Sequence, residues 1–122
     1  MAHFIYEYSA NLSEEALRLP ELMEKIHRAA ADSGIFPESG LRSRAVRCEV
    51  FRVGDGDPAN AFLNLSMKVG RGRDLSTRVR IGGILFETLA DHLQPVFDAH
   101  ALALSFEMRE LDEHVKFNRK NF

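Results

Sequence analysis

Five turn-forming residues in a row, Gly54-Asp55-Gly56-Asp57-Pro58, split the 122-residue chain into two halves that read alike. In the first half, His3 to Tyr8 is rich in aromatic and β-branched residues, with Phe4, Tyr6 and Tyr8 on one face, and reads as a strand that begins almost at the terminus. A polar turn through Ser9, Asn11 and Ser13 follows. Leu19, Leu22, Met23, Ile26, Ala29 and Ala30 then fall at helical spacing, with Pro20 in the first turn and Gly34 past the end. From Leu41 to Val53 the chain returns to extended character. The second half repeats the plan. Ala61, Leu63, Leu65, Met67 and Val69 alternate with Phe62, Asn64, Ser66 and Lys68, a period of two. Asp74 is placed to cap a long helix carrying Val79, Gly82, Gly83, Phe86, Leu89, Ala90, Leu93 and Phe97 on one face, kinked near Pro95. Leu102, Leu104, Phe106 and Met108 alternate through a last strand. Each mid-helix glycine costs about 1 kcal/mol relative to alanine, which close packing of helix on sheet would offset.

Two strand-helix-strand units with right-handed crossovers give an α/β (α+β) fold: a four-stranded sheet with both helices on one face. Apolar residues on the opposite face are expected to need cover from other subunits. The same order of elements also suits a ferredoxin-like sandwich, in which strands interleave between the halves. Pattern alone does not choose between them.

The length suits one domain spanning residues 1–122. A formal net charge of -2 gives no global field for nucleic acid or anionic lipid, so any anion site must be local. Cys48 is the only cysteine, which excludes an intrachain disulfide and suits a reducing cytoplasm. It sits in a predicted strand without a neighbouring base and reads as an inert thiol. His27, His92, His100 and His114 lack metal-ligand spacing, and no metal or cofactor is implied. No apolar run is long enough to span a membrane. Gly70-Arg71-Gly72 falls short of a phosphate-loop pattern. The tail from Lys116 to Phe122 is short and polar and is expected to fray, or else to lie on a neighbouring subunit.

Four segments, His3-Phe4-Ile5, Gly34-Ile35-Phe36-Pro37, Gly40-Leu41-Arg42-Ser43-Arg44 and Ala103-Leu104-Ser105-Phe106-Glu107, occur in an order and at a spacing that resemble the 5-carboxymethyl-2-hydroxymuconate isomerase family of the tautomerase superfamily. The resemblance covers nearly the whole chain. It implies paired β-α-β units related by a pseudo-twofold axis and assembled as a homotrimer. It also implies an isomerase acting without cofactor on a small polycarboxylate, in bacterial breakdown of 4-hydroxyphenylacetate through homoprotocatechuate. In that family the residue after the initiator methionine is a proline whose free amine is the catalytic base; here it is Ala2. An α-amino group titrates at roughly 7.7 to 8.0 and falls further when buried beside cations, so the role requires no side chain.

The family's carboxylate-holding arginines match Arg42 and Arg73, with Arg44 on the same strand face as Arg42. His3, Phe4 and Phe36 are further candidates to line the site, the phenylalanines as core or pocket wall. Two functions follow: an isomerase with Ala2, Arg42 and Arg73 as its catalytic group, or a noncatalytic trimer that binds a small carboxylate after losing the proline. An alanine introduced into an active enzyme would look the same. Nucleic-acid binding through the scattered arginines is disfavoured by the acidic balance.

Overall fold

A computed structural model describes all residues from Met1 to Phe122. The first half forms strand β1 (Ala2–Ser9), a one-turn helix α1 (Glu14–Leu17), helix α2 (Leu19–Asp32) and strand β2 (Leu41–Cys48). The second forms strand β3 (Asn60–Gly70), helix α3 (Leu75–His92), a short helix α4 (Gln94–Ala99) and strand β4 (Ala101–Leu111). The sheet order is β2-β1-β3-β4. β1 runs parallel to β2, β3 runs parallel to β4, and β1 meets β3 antiparallel at the centre. The strands therefore pair within each half, which settles the choice left open by the pattern against the interleaved sandwich.

Alternation along the strands sets the two faces. Phe4, Tyr6, Leu63, Leu65, Met67 and Val69 are fully buried beneath the helices, and α2 adds Leu22, Ile26 and Ala30. Each large apolar side chain so buried is worth about 1.5–3 kcal/mol. The helices α2 and α3 pack side by side over this core.

The second helix faces inward differently from the expectation. Its core stripe is Ile81, Leu85, Leu89 and His92, continued by Leu93 and Val96, whereas Val79, Phe86 and Phe97 are exposed. The buried set keeps the i, i+4 spacing and shares Leu89 and Leu93 with the expected one, while Val79, Phe86 and Phe97 lie rotated around the axis from it. The kink is a break at Leu93, with Pro95 inside the first turn of α4. Gly82 does meet the sheet closely, since a Cβ there would stand 3.3 Å from the Phe106 ring, but Gly83 has nothing within 4 Å. Ser13, expected in a turn, caps α1 by accepting from the Ala16 amide at 3.1 Å. Asp74 caps α3 as expected, accepting from the Thr77 amide at 2.8 Å.

β2 stops at Cys48 instead of continuing to Val53, because its partner β1 ends at Ser9 and leaves nothing to pair with. The following loop is held by its own contacts, with Asn60 donating to the Val53 carbonyl and Arg52 to that of Asp55. The sheet face away from the helices also departs from expectation. It carries His3, Glu7, Arg42, Arg44, Asn64, Ser66, Lys68, Ser105, Glu107 and Arg109 around only a few apolar side chains, so it is predominantly polar. Of the exposed large apolar residues, Leu75, Val79, Ile84, Phe86 and Phe97 lie on the second half's helices, and the others on β2, the loop after it and the tail.

His92 ties α3 to α1 and α2. Its Nε2 donates to the Leu17 carbonyl at 3.0 Å and its Nδ1 accepts from Lys25 Nζ at 3.1 Å, an arrangement that requires the neutral ring. Burial above all holds its pKa below the ordinary 6.5, opposed by the bond to Leu17 and assisted by Arg18 and Lys25. His27 shifts the same way through burial, opposed by Glu38. The unfolded chain then binds more protons near pH 6 than the folded one, so this stability is complete above the ordinary histidine pKa and is lost as pH falls below it. Calorimetry should show the melting temperature falling from pH 7.5 to pH 5.5, and less steeply in His92→Gln.

Candidate active site

Sheet register brings three chain segments to one end. Ala2 pairs with Leu41 on one side and Val69 on the other, so the start of β1 and of β2 lie in a row with the end of β3. The amine of Met1 stands there, opposite Gly40, where a Cβ would lie 3.4 Å from Met1 Cα and 3.6 Å from its nitrogen. Ala2 behind it is fully buried, its own nitrogen an amide. Burial lowers the amine's pKa from the ordinary 8.0, followed by the positive charges of Arg73, Lys116, Lys120 and Arg42.

Arg73 turns back toward the strand end, donating from Nη1 to the Gly70 carbonyl at 3.0 Å. Its guanidinium lies 4.4 Å from the centroid of the buried Phe36 ring, which positions the charge without neutralising it. Arg42 follows Leu41 on β2 and is paired in register with His3. Arg42 Nη1 and Arg73 Nε are both buried and have no hydrogen-bond partner. Neither arginine is in an ion pair. An unsatisfied buried donor costs about 1–3 kcal/mol, more when charged, so each marks a place where a ligand's acceptor atoms would be stabilising.

Beside this group, on the polar sheet face, Arg44 Nη1 donates to His3 Nδ1 at 3.2 Å. Burial, then Arg44, Arg42, Lys68 and the amine, hold the His3 pKa below its ordinary value, which keeps the ring neutral and able to accept that bond. Of the residues the sequence singled out, Arg42, Arg73 and Phe36 thus gather at the amine, with His3 and Arg44 alongside. Phe4 does not join them; it points the other way into the core, 5.7 Å ring to ring from His27.

Two members had no signal in the sequence. Lys116 and Lys120 belong to the tail beyond β4, which returns to the amine instead of fraying; Lys120 Nζ donates to Ser39 Oγ at 3.0 Å. Only the path of the tail puts them there. No group of three or more His, Cys, Asp or Glu side chains is close enough together to hold a metal ion.

Residues 2–122 match the family described as 5-carboxymethyl-2-hydroxymuconate isomerase. The chain belongs to that family. It is 39% identical over 121 residues to the 5-carboxymethyl-2-hydroxymuconate Delta-isomerase of Escherichia coli, covering 99% of this chain and 95% of the other. The crystal structure of a 5-carboxymethyl-2-hydroxymuconate isomerase from Deinococcus radiodurans R1 superposes with a TM-score of 0.90 at 34% identity, over 98% of this chain and 90% of that one. A fused 4-OT, solved as a wild-type symmetric trimer, shares the fold with a TM-score of 0.59 at 14% identity, over 88% of this chain and 85% of its own. This family member is accordingly an enzyme of the isomerase type with a tautomerase fold. No helix in it is long and apolar enough to cross a membrane.

Proposed function

We propose that the chain moves a proton within a 5-carboxymethyl-2-hydroxymuconate-like dienol, using its N-terminal amine as the base and Arg42 and Arg73 to hold the substrate's carboxylates. The observation that carries this is a chain terminus beside two guanidinium groups that keep buried, unpartnered N–H donors, in surroundings that already lower the pKa of the Met1 amine one residue farther out. The amine takes the proton of the 2-hydroxyl and returns it to the distant carbon of the dienol. The charge that develops on oxygen meanwhile is stabilised by the guanidinium groups. Forked N–H pairs suit carboxylates, and the guanidinium stays charged in a partly buried site.

The working form has Ala2 as its first residue. β1 fixes the backbone of Ala2 between two neighbouring strands, whereas Met1 lies outside the ladder. Removing Met1 moves the free amine one residue inward to that fixed position. An absorbance assay of dienol isomerisation, run on chains sorted by intact mass, should find turnover in the form starting at Ala2. A form acetylated at the terminus should have none, because an amide nitrogen is not basic. Turnover that survives acetylation would overturn the assignment of the base.

The functional particle in this proposal is a homotrimer in the cytoplasm. The fold shared with a trimeric protein supports it, as do the exposed apolar side chains on α3 and α4. None of the surface cavities of the single chain is lined by Met1, Arg42 or Arg73, which suits a site whose outer wall comes from a neighbour. Light scattering should return three times the 13.8 kDa chain mass.

A further inference from the structure

Residues 112–122 form no helix or strand, yet among them only Lys116 is partly shielded from solvent. Its ammonium lies over Gly70, close enough that a Cβ at that position would stand 2.8 Å from Lys116 Nζ. The absence of a side chain at residue 70 is what leaves room for the charge. The carbonyl of the same Gly70 accepts from Arg73 Nη1, so an ammonium and a guanidinium converge on one residue at the end of β3. Lys116 makes no hydrogen bond or ion pair within the chain. Farther along, Lys120 Nζ donates to both the carbonyl and the Oγ of Ser39, at 3.3 and 3.0 Å, and so fastens the tail across the approach to β2.

We infer that Lys116 is a third carboxylate-binding residue of the site, and that Lys120 is a positioning residue that latches the tail so that Lys116 stays over Gly70. Like charges brought together repel unless an anion lies among them, and this cluster has no carboxylate paired to it. The inference rests on the isomerase reading for its choice of anion. A 5-carboxymethyl-2-hydroxymuconate skeleton carries three carboxylates; Arg42 and Arg73 account for two, and a third cation is needed for the other. The remaining cations nearby are placed less well. Arg44 is turned to His3, and Lys68 lies across from His3 on the polar sheet face. Lys116 is also one of the charges acting on the amine.

The test is calorimetric binding to the full chain of two saturated, non-reacting probes, hexanedioate and its 2-carboxymethyl derivative, which differ by one carboxylate. The parent should prefer the tricarboxylate. Lys116→Gln should lose about tenfold in affinity for the tricarboxylate while binding hexanedioate within about twofold of the parent, the size expected for one charge-assisted contact. Lys116→Arg should keep the preference, and Lys120→Gln should lose part of it. Equal loss for both probes in Lys116→Gln, no loss for either, or a parent without preference would each overturn the assignment. Because binding needs no turnover, the two readings fail separately. A chain that binds both probes as described but never isomerises the dienol sinks the enzyme reading alone; an active chain whose preference ignores Lys116 sinks this inference alone.

Discussion

Ala2→Pro, with the initiator methionine confirmed absent, should raise kcat/KM for dienol isomerisation by about tenfold, a part of the roughly 10²–10⁴ that a positioned general base contributes. In the proposed mechanism the parent keeps its base at that end of the sheet, because β1 is anchored on both sides from its first residue. What it lacks is a fixed nitrogen. A primary amine rotates about its bond to Cα, whereas a proline ring holds its nitrogen in one direction, so the gain is in positioning and should appear mainly in kcat. Since Ala2 is fully buried, the larger ring has to be accommodated, and overpacking of about 1–3 kcal/mol would lower the melting temperature. A faster but somewhat less stable variant is therefore the expected pair of results. If neither chain turns the dienol over, the arginines serve binding alone and the isomerase mechanism falls.

Arg42→Ala should separate activity from stability in the opposite sense. Loss of a forked, charge-assisted contact to a substrate carboxylate is worth about 1.5–3 kcal/mol, or roughly 10- to 100-fold in kcat/KM. The folded protein should not suffer with it. Arg42 Nη1 is buried without a partner, so removing it relieves an unsatisfied charge, and the melting temperature should hold or rise. Arg73→Ala should lose activity to a similar extent but also some stability, because its guanidinium packs on Phe36 and donates to Gly70. Both substitutions remove positive charge near the amine, so its pKa should rise toward the ordinary value and the acidic limb of the rate profile should move to higher pH. An Arg42→Ala chain that is as active as the parent would remove this residue from the mechanism.

Much of this architecture was legible in the residues. The period of two through Ala61 to Val69, the helical spacing from Leu19 to Ala30, and the capping at Asp74 are local signals, and each survives into the fold. The face of α3 was misread because apolar side chains surround much of that helix. With Val79, Phe86 and Phe97 as apolar as Ile81 and Leu85, periodicity does not by itself say which stripe meets the sheet. The end of β2 was misread because a strand needs a partner, and the length of β1 is not written in β2. Within the site, Arg42 and Arg73 were singled out through likeness to a family, and of the two places offered for Phe4, core or pocket wall, the core holds, as its alternation with Tyr6 requires. Lys116 and Lys120 were not found at all. Their place beside the amine depends on a tail folding back over residues far away in sequence, for which the chain offers neither period nor motif.

The central pairing of β1 with β3 makes the two ends of the sheet near equivalents. Ala2 beside Leu41 at one end has its counterpart in Asn60 beside Ala101 at the other. A chain has a single amino terminus, however, and at the second end the backbone runs on through the Gly54–Pro58 turn as ordinary amide. The paired halves thus present two similar strand ends to the chain's one amino terminus.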